Sequence, residues 1–395
     1  MRTNKEHRIY VDSLQNMLFL NEIYRLSESK EYKKKINEPS MLKGNWLLVN
    51  TAAVLFAVGF PLLTTYYLVC NFIWKRRKNN PDCTIVGKRV FLSFLNSALY
   101  RLASSKRLIN DDDVWVLGHN ETIDGVRNLS MYSFVSYGDL IKAFFVSLVS
   151  YYQALSKYGI KVAFLGLSTY DWHVRYQIGM NIPIECELIF CNHMEQNAVL
   201  IDALPHKHKT LIQHGTLLLL HNSHSIQWPL MIENKDLHYW TYNVPRKYST
   251  IEKVYAFSEK EYHALCDSIL TNRPQLTVIG YGLKTYEVEG GKKTVLIIGL
   301  FRKYGDKEEE LIQSLQGLDI NLILKNHPTQ DVAAYDALKK RYHFTLLNDS
   351  RFPKAEVVIS YDSTLALEYS DCGTKVYYYE DYDVKEIVTE VKGYL

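Results

Sequence analysis

Four clusters of polar residues follow short apolar runs in this 395-residue chain, and each holds side chains able to bind an anion or move a proton. Gln213-His214-Gly215-Thr216 follows Thr210-Leu211-Ile212, and Lys325-Asn326-His327-Pro328 follows residues 321–324. Ser360-Tyr361-Asp362-Ser363-Thr364 follows residues 357–359 and opens a helix that carries Glu368. The fourth cluster runs from Gly118 to Gly125 after residues 114–117 and contains Glu121 and Asp124. Ser363 and Thr364 stand at a helix start, where unpaired backbone N–H groups and the positive end of the helix dipole lie beside their hydroxyls. Phosphate suits such a place; a plain N-cap by Asp362 or Ser363 is the other reading of the same pattern. Pro328 holds His327 extended at a strand end. From there an imidazole can donate to a phosphate oxygen or act as an acid on a leaving group.

A general base is less sharply marked. Glu121 and Asp124-Gly125 occupy one loop, Glu195 closes Cys191-Asn192-His193-Met194-Glu195 after another strand, and Asp171 is a third candidate. Glu195 also suits a helix first turn, and Asp171 a loop cap. His206, His208, His214, His221 and His224 lie close in sequence, but no spacing repeats and no carboxylate joins them as in H-E-x-x-H. No metal site and no tightly bound cofactor is expected. Six cysteines without a C-x-x-C pair read as reduced thiols.

These clusters need strands to end beside one another. Strand-like runs recur at residues 114–117, 161–165, 187–190, 210–212, 253–257, 276–279, 294–298, 321–324, 357–359 and 375–378. Amphipathic stretches such as 306–316, 331–341 and 364–372 lie between several of them. Strands alternating with helices predict layered α/β units with parallel sheets. Gly282, Gly290 and Gly291 mark a break near 281–293. The strands then fall into a unit of residues 85–280 and another of 292–395, after an N-terminal helical segment of residues 1–80. Two doubly wound units facing one another would place a ligand cleft at the carboxyl ends of their strands. The chain is 47% hydrophobic and 23% charged, as a folded protein is, and its net charge of +3 does not predict a nucleic-acid partner.

Residues 46–74 contain no charged side chain, a run longer than the ~20 residues a helix needs to cross a bilayer. Trp46 and Trp74 bracket it as interfacial aromatics do. Lysines at 30, 33, 34, 35 and 43 precede it and Lys75-Arg76-Arg77-Lys78 follows, so neither flank favours leaving the cytoplasm. Gly59 and Pro61 near its middle leave two readings, a kinked span or a re-entrant hairpin. Either predicts attachment to the cytoplasmic face of the inner membrane through residues 46–74.

The order Gln213-His214-Gly215, Tyr255-Ala256-Phe257-Ser258, Gly280-Tyr281-Gly282, Lys325-Asn326-His327-Pro328 and Asp362-Ser363-Thr364 with Glu368 resembles a group of bacterial transferases. These are the GT-B-fold enzymes of capsule and lipopolysaccharide assembly with HP and S/T motifs, polysialyltransferase-like and Kdo-transferase-like, which use CMP-sugars. The pattern is similar also to that of CDP-glycerol and CDP-ribitol polyol-phosphate transferases of teichoic-acid type. It covers about residues 205–380. The resemblance implies two facing Rossmann-like domains, an acceptor domain of residues 85–280 and a nucleotide-donor domain of residues 292–395. It also implies a CMP-linked or CDP-linked donor held by His214, Gly215, Lys325, Ser363, Thr364 and Glu368. His327 would act in catalysis with a base among Glu121, Asp124 and Glu195. The tandem acidic pair of the polysialyltransferase motif is absent here. The activity implied is transfer of a sugar such as sialic acid or Kdo to a glycan or lipid-linked acceptor at a membrane surface. A CDP-polyol phosphotransferase and a UDP-sugar 2-epimerase are the alternatives, and a catalytically silent assembly subunit is a further one.

Overall fold

The computed structural model describes residues 2–26, 46–78, 85–118, 121–220, 230–326, 333–347 and 351–394. Helices α1 (Arg2–Leu26) and α2 (Trp46–Lys78) precede the first strands, β1 (Arg89–Phe91), β2 (Val114–Leu117) and β3 (Arg127–Ser130), with α3 (Ala98–Ser105) between β1 and β2. Helices α4 (Tyr137–Tyr158) and α5 (Thr169–Asn181) lead to β4 (Glu187–Phe190), α6 (Gln196–Ala203) and β5 (Lys209–Ile212). An antiparallel ribbon, β6 (Met231–Asn234) and β7 (Tyr239–Tyr242), precedes β8 (Lys253–Ala256), α7 (Glu259–Ser268) and β9 (Gln275–Val278). Seven of these strands form one parallel sheet in the order β3-β2-β1-β4-β5-β8-β9. Four-residue runs such as Val114-Trp115-Val116-Leu117 are buried throughout, as strands covered on both faces must be.

After the short strand β10 (Thr285–Tyr286) the chain builds a second sheet. Its strands are β11 (Lys293–Gly299), β12 (Ile320–Asn326) and β13 (Thr345–Leu347), then, beyond β14 (Phe352–Pro353), β15 (Val357–Ser360) and β16 (Lys375–Tyr378). Helices α8 (Phe301–Leu315), α9 (Ala333–Lys339), α10 (Thr364–Asp371) and α11 (Val384–Tyr394) connect and cover them. The order is β13-β12-β11-β15-β16, again parallel, with β11 and β12 in register from Lys293↔Ile320 to Gly299↔Asn326. β10 pairs with β14, so the stretch expected to be a plain link carries a two-residue strand.

Two local expectations change. Residues 161–165 lie in a 3-10 segment, Gly159–Ser168, rather than a strand. A short apolar run does not distinguish strand from buried helix, and here Phe164 packs on Phe56 of α2 instead of meeting a sheet edge. Trp74, expected at a bilayer interface, packs against the core of the first sheet.

α2 is one unbroken helix through Gly59 and Pro61, so the chain does not form the re-entrant hairpin. Within Asn50–Arg77 its most apolar stretch of 18 residues has a mean hydropathy of 1.9, and the helix is long and apolar enough to cross a membrane. Pro61 has no N–H to give the carbonyl of Ala57 one turn earlier. The Tyr152 hydroxyl of α4 donates to that carbonyl at 3.1 Å.

α1 belongs to the first sheet's core. Tyr10 and Leu14 are buried there, and buried Glu6 sits among α4 and α5. Its carboxylate meets His173 Nδ1 at 2.8 Å and accepts from Gln177 Nε2 at 2.8 Å, with Lys142 Nζ 3.6 Å away. His173 in turn meets Ser150 Oγ at 2.8 Å, and burial holds its pKa below the ordinary value against the pull of Glu6. Glu6→Ala strands these donors without an acceptor. It should lower unfolding free energy by about 3 kcal/mol in a denaturant titration.

Candidate functional site

A parallel sheet opens a crevice where its strand order reverses, because the loops after the two central strands leave in opposite directions. The first sheet reverses between β1 and β4, the second between β11 and β15. Residues 191–195 follow β4 and residues 361–364 follow β15. Two of the clusters singled out in the sequence therefore border these points.

In the first sheet, one buried carboxylate ties three strand-end loops together. Glu261 of α7 accepts from Gln213 Nε2 at 2.7 Å, from the Thr216 hydroxyl and from the Tyr281 hydroxyl at 2.9 Å. Those partners lie after β5 and β9, while Glu261 follows β8. Ser258 Oγ accepts from Glu261 N–H at 3.1 Å, starting α7 and leaving the Glu261 side chain free to turn toward the loops. Gln213 Oε1 accepts from Phe257 N–H at 3.0 Å, so both ends of that amide are used. Burial raises the Glu261 pKa, and the hydrogen bonds from Thr216, Gln213 and Tyr281 oppose the rise. Gly215, at φ 81°, turns the loop in a way that favours glycine.

This network presents His214. Its ring lies 6.5 Å from the ring of His193, which follows β4. Glu195 Oε2 accepts from His193 N–H at 3.3 Å and flanks the same pair from the start of α6. Surrounding protein, then His193, hold the His214 pKa below its ordinary value, Glu195 opposes that, and Arg101 adds to it. Asn192 Oδ1, buried beside this group, has no hydrogen-bond partner.

In the second sheet, Ser363 is the N-cap of α10, its Oγ accepting from Ala366 N–H at 3.1 Å. Ser360 Oγ, at the end of β15, lies 3.1 Å from Ser363 Oγ. Capping engages one first-turn donor; the N–H groups before it are those a helix start leaves to outside acceptors. Thr364 is the first residue of the helix. Lys325, buried at the end of β12, sets its Nζ 5.6 Å from the Phe352 ring centre. β12 ends at Asn326, and His327 lies outside the described residues. The loop after β11 is clamped by buried Glu308 and Tyr335. Glu308 accepts from Leu300 N–H at 2.6 Å and from Tyr335 OH at 2.7 Å, and Tyr335 OH accepts from Phe301 N–H at 3.0 Å.

Lys106, just beyond α3, holds the loop that follows β9. Its Nζ donates to the Gly280 carbonyl at 2.7 Å and to the Tyr281 carbonyl, and lies 5.3 Å from the Phe257 ring centre. Across the gap it acts electrostatically on Glu368 of α10. Burial pushes the Glu368 carboxyl up to about 7 although Lys106 pulls it down. Leu367, one residue earlier, packs with Leu218 and Tyr239 of the first unit.

His214, Gly215 and Glu195 thus lie together at the first sheet, and Ser363 and Thr364 at the start of α10, with Glu368 one turn further along that helix. Glu121 and Asp124 are exposed in the loop after β2. Asp171 is engaged by Arg175 one turn along α5, at 2.7 Å. Sequence reasoning missed Lys106, His193, Glu261 and Glu308. Ser258-x-x-Glu261 is a capping-box spacing and was the one local signal for Glu261. A cavity of about 480 Å³ lined by Gln316, Lys339 and His343 opens at the amino ends of β12 and β13, and none of these site residues lines it. No protein-family model matches the chain, and no curated protein matches it.

Burial raises the Glu308 carboxyl from 4.5 to about 7, so the folded state holds that proton more tightly than the unfolded chain does. The associated stability is complete below about pH 4.5 and is lost as pH rises to about 7. Glu308→Gln should remove up to one proton's share of slope, ~1.4 kcal/mol per pH unit, within that window. Denaturant titrations of both proteins across pH 4 to 8, as a rough range, measure the difference.

Proposed function

We propose that the chain is a glycosyltransferase of bacterial surface-polysaccharide assembly, built on a GT-B plan and using a CMP-activated donor such as a sialic acid or Kdo nucleotide. The observation that carries this reading is the start of α10, a capped helix end with Ser360, Ser363 and Thr364 at the reversal point of the second sheet. In this reading residues 85–280 form the acceptor domain and residues 292–395 the donor domain. The glycan or lipid-linked acceptor enters from the side of His214 and Glu195.

The acceptor hydroxyl attacks the anomeric carbon of the donor while the bond from that carbon to the CMP phosphate oxygen breaks. A base takes the hydroxyl proton, and Glu195 and His214 are the best-placed groups for it, with Glu121 and Asp124 as outer candidates. The departing phosphate gains charge, which the helix N-terminus, Lys325 and His327 stabilise. Glu368, titrating near neutral pH beside Lys106, sits where it can adjust to that charge. The same reading puts the enzyme on the cytoplasmic face of the inner membrane, held through residues 46–74.

His327→Ala should lower turnover on the order of 100–1000-fold with the fold intact. Ser363→Ala with Thr364→Ala should weaken nucleotide affinity while leaving some, since backbone amides remain. CMP, CDP and UDP are compared by thermal shift, because a ligand bound only by the native state raises the melting temperature. CMP should stabilise most. A response to UDP alone, or unaltered nucleotide affinity in the double variant, would sink this assignment. A CDP preference with a phosphodiester product moves it to polyol-phosphate transfer.

A further inference from the structure

α2 and α4 lie side by side and antiparallel. Phe72 of α2 meets Tyr137 at the start of α4, with ring centres 5.0 Å apart, and Phe60 stacks on Tyr151 near its end at 3.8 Å. Three polar contacts fix the pair to the first unit. Asn71 Oδ1 accepts from Tyr132 OH at 2.9 Å, Lys75 Nζ donates to the Tyr132 carbonyl at 3.1 Å, and Tyr152 OH fills the Ala57 carbonyl that Pro61 leaves open. Docking therefore extends from buried Ala53 to Lys75, with Phe56 set against Phe164. The helix begins at Trp46, so roughly seven residues or ~10 Å of it precede the docked part, about a third of what a bilayer crossing needs. A span made by α2 would have to tear it from α4.

The outward faces of both helices are apolar. On α2 the exposed stripe is Val54, Leu55, Val58, Leu62, Tyr66, Val69 and Ile73; on α4 it is Tyr137, Ile141, Phe145, Val149 and Tyr152. Among the described residues these twelve make up two thirds of the exposed large apolar side chains, with Leu62 at 78% and Phe145 at 62% exposure. Steps of three and four residues keep each set on one helix face. A helix on the surface of a water-soluble domain carries charge there instead.

We propose that the chain binds a lipid bilayer as an in-plane, two-helix face made by α2 and α4 together, rather than crossing it with α2. Charge names the occupant. The exposed Arg76 and Arg77 lie in the last turn of α2, and the sequence before α2 carries five lysines, charge that suits anionic headgroups. The apolar stripes enter the acyl boundary and the domain stays on one side. This stands on helix packing alone and does not depend on the donor chemistry proposed above.

The test uses the full chain and vesicles of phosphatidylethanolamine and phosphatidylglycerol. Wild-type protein should co-sediment with them. Ile141→Glu and Phe145→Glu lie outside the uncharged run, and each should lower the partition coefficient about tenfold or more, with an unchanged melting temperature. Phe145→Trp should add a tryptophan signal quenched by lipids brominated on the acyl chain. Binding equal to wild type in the Ile141→Glu/Phe145→Glu double variant, with no added quenching at Trp-substituted position 145, overturns the proposal in favour of a span by α2 alone. Failure of the wild type to bind vesicles while it sediments as a dimer overturns it in favour of a second copy on this face.

Discussion

The first sheet's functional edge depends on one buried carboxylate. Parallel strands end in loops that have no ladder to hold them, and the loops after β5 and β9 and the start of α7 converge on Glu261. Removing an ionisable group from water is unfavourable, and here the donors from Gln213, Thr216 and Tyr281 offset it. The dependence runs both ways. Without the carboxylate, an amide and two hydroxyls would lose their acceptor inside the protein, at about 1–3 kcal/mol for each group left unsatisfied. His214 itself makes none of these bonds. It is positioned by the residues on either side of it, Gln213 and Thr216, which do make them.

The same logic recurs in the second sheet with different residues. Glu308 and Tyr335 hold the loop after β11 through backbone N–H groups, next to the reversal point where Ser360 and Ser363 lie. Gly299 is needed there because a side chain would collide with the Tyr335 hydroxyl. In both sheets a buried glutamate organises main chain, and the groups open to the crevice are kept for other work.

Much of this architecture is legible in the sequence because strands within a covered sheet read as apolar runs, and nine of the ten runs named fall on strands. Residues 161–165 mislead because an apolar run also suits a short helical segment against another helix. Ser363 is legible as a cap because capping is local. Glu261 and Lys106 are not, since their partners lie up to about 175 residues away and nothing nearby marks the pairing. α1 illustrates the opposite difficulty. Its sequence is polar enough to pass for a surface helix, and its buried Glu6, Ser13 and Asn16 make sense only with partners from elsewhere, such as His173 and Arg246. The uncharged run was plain, but whether it stands free or lies docked is settled by Phe60, Asn71 and Tyr152, residues whose roles appear only in packing.

Pro61 connects these levels. In a free helix it would cost a hydrogen bond and leave the Ala57 carbonyl bare, which hydrocarbon does not forgive. In this fold Tyr152 supplies the missing donor from α4, so the residue that would weaken a lone span becomes a point of attachment between two helices. All the helices that carry exposed apolar stripes pack on the first sheet, whereas the second sheet meets that unit through Lys106, Leu218, Leu220 and the side chains of α10. Lys106 belongs to the first unit by its bonds to the Gly280 and Tyr281 carbonyls, and it reaches the second only through the charge it sets against Glu368.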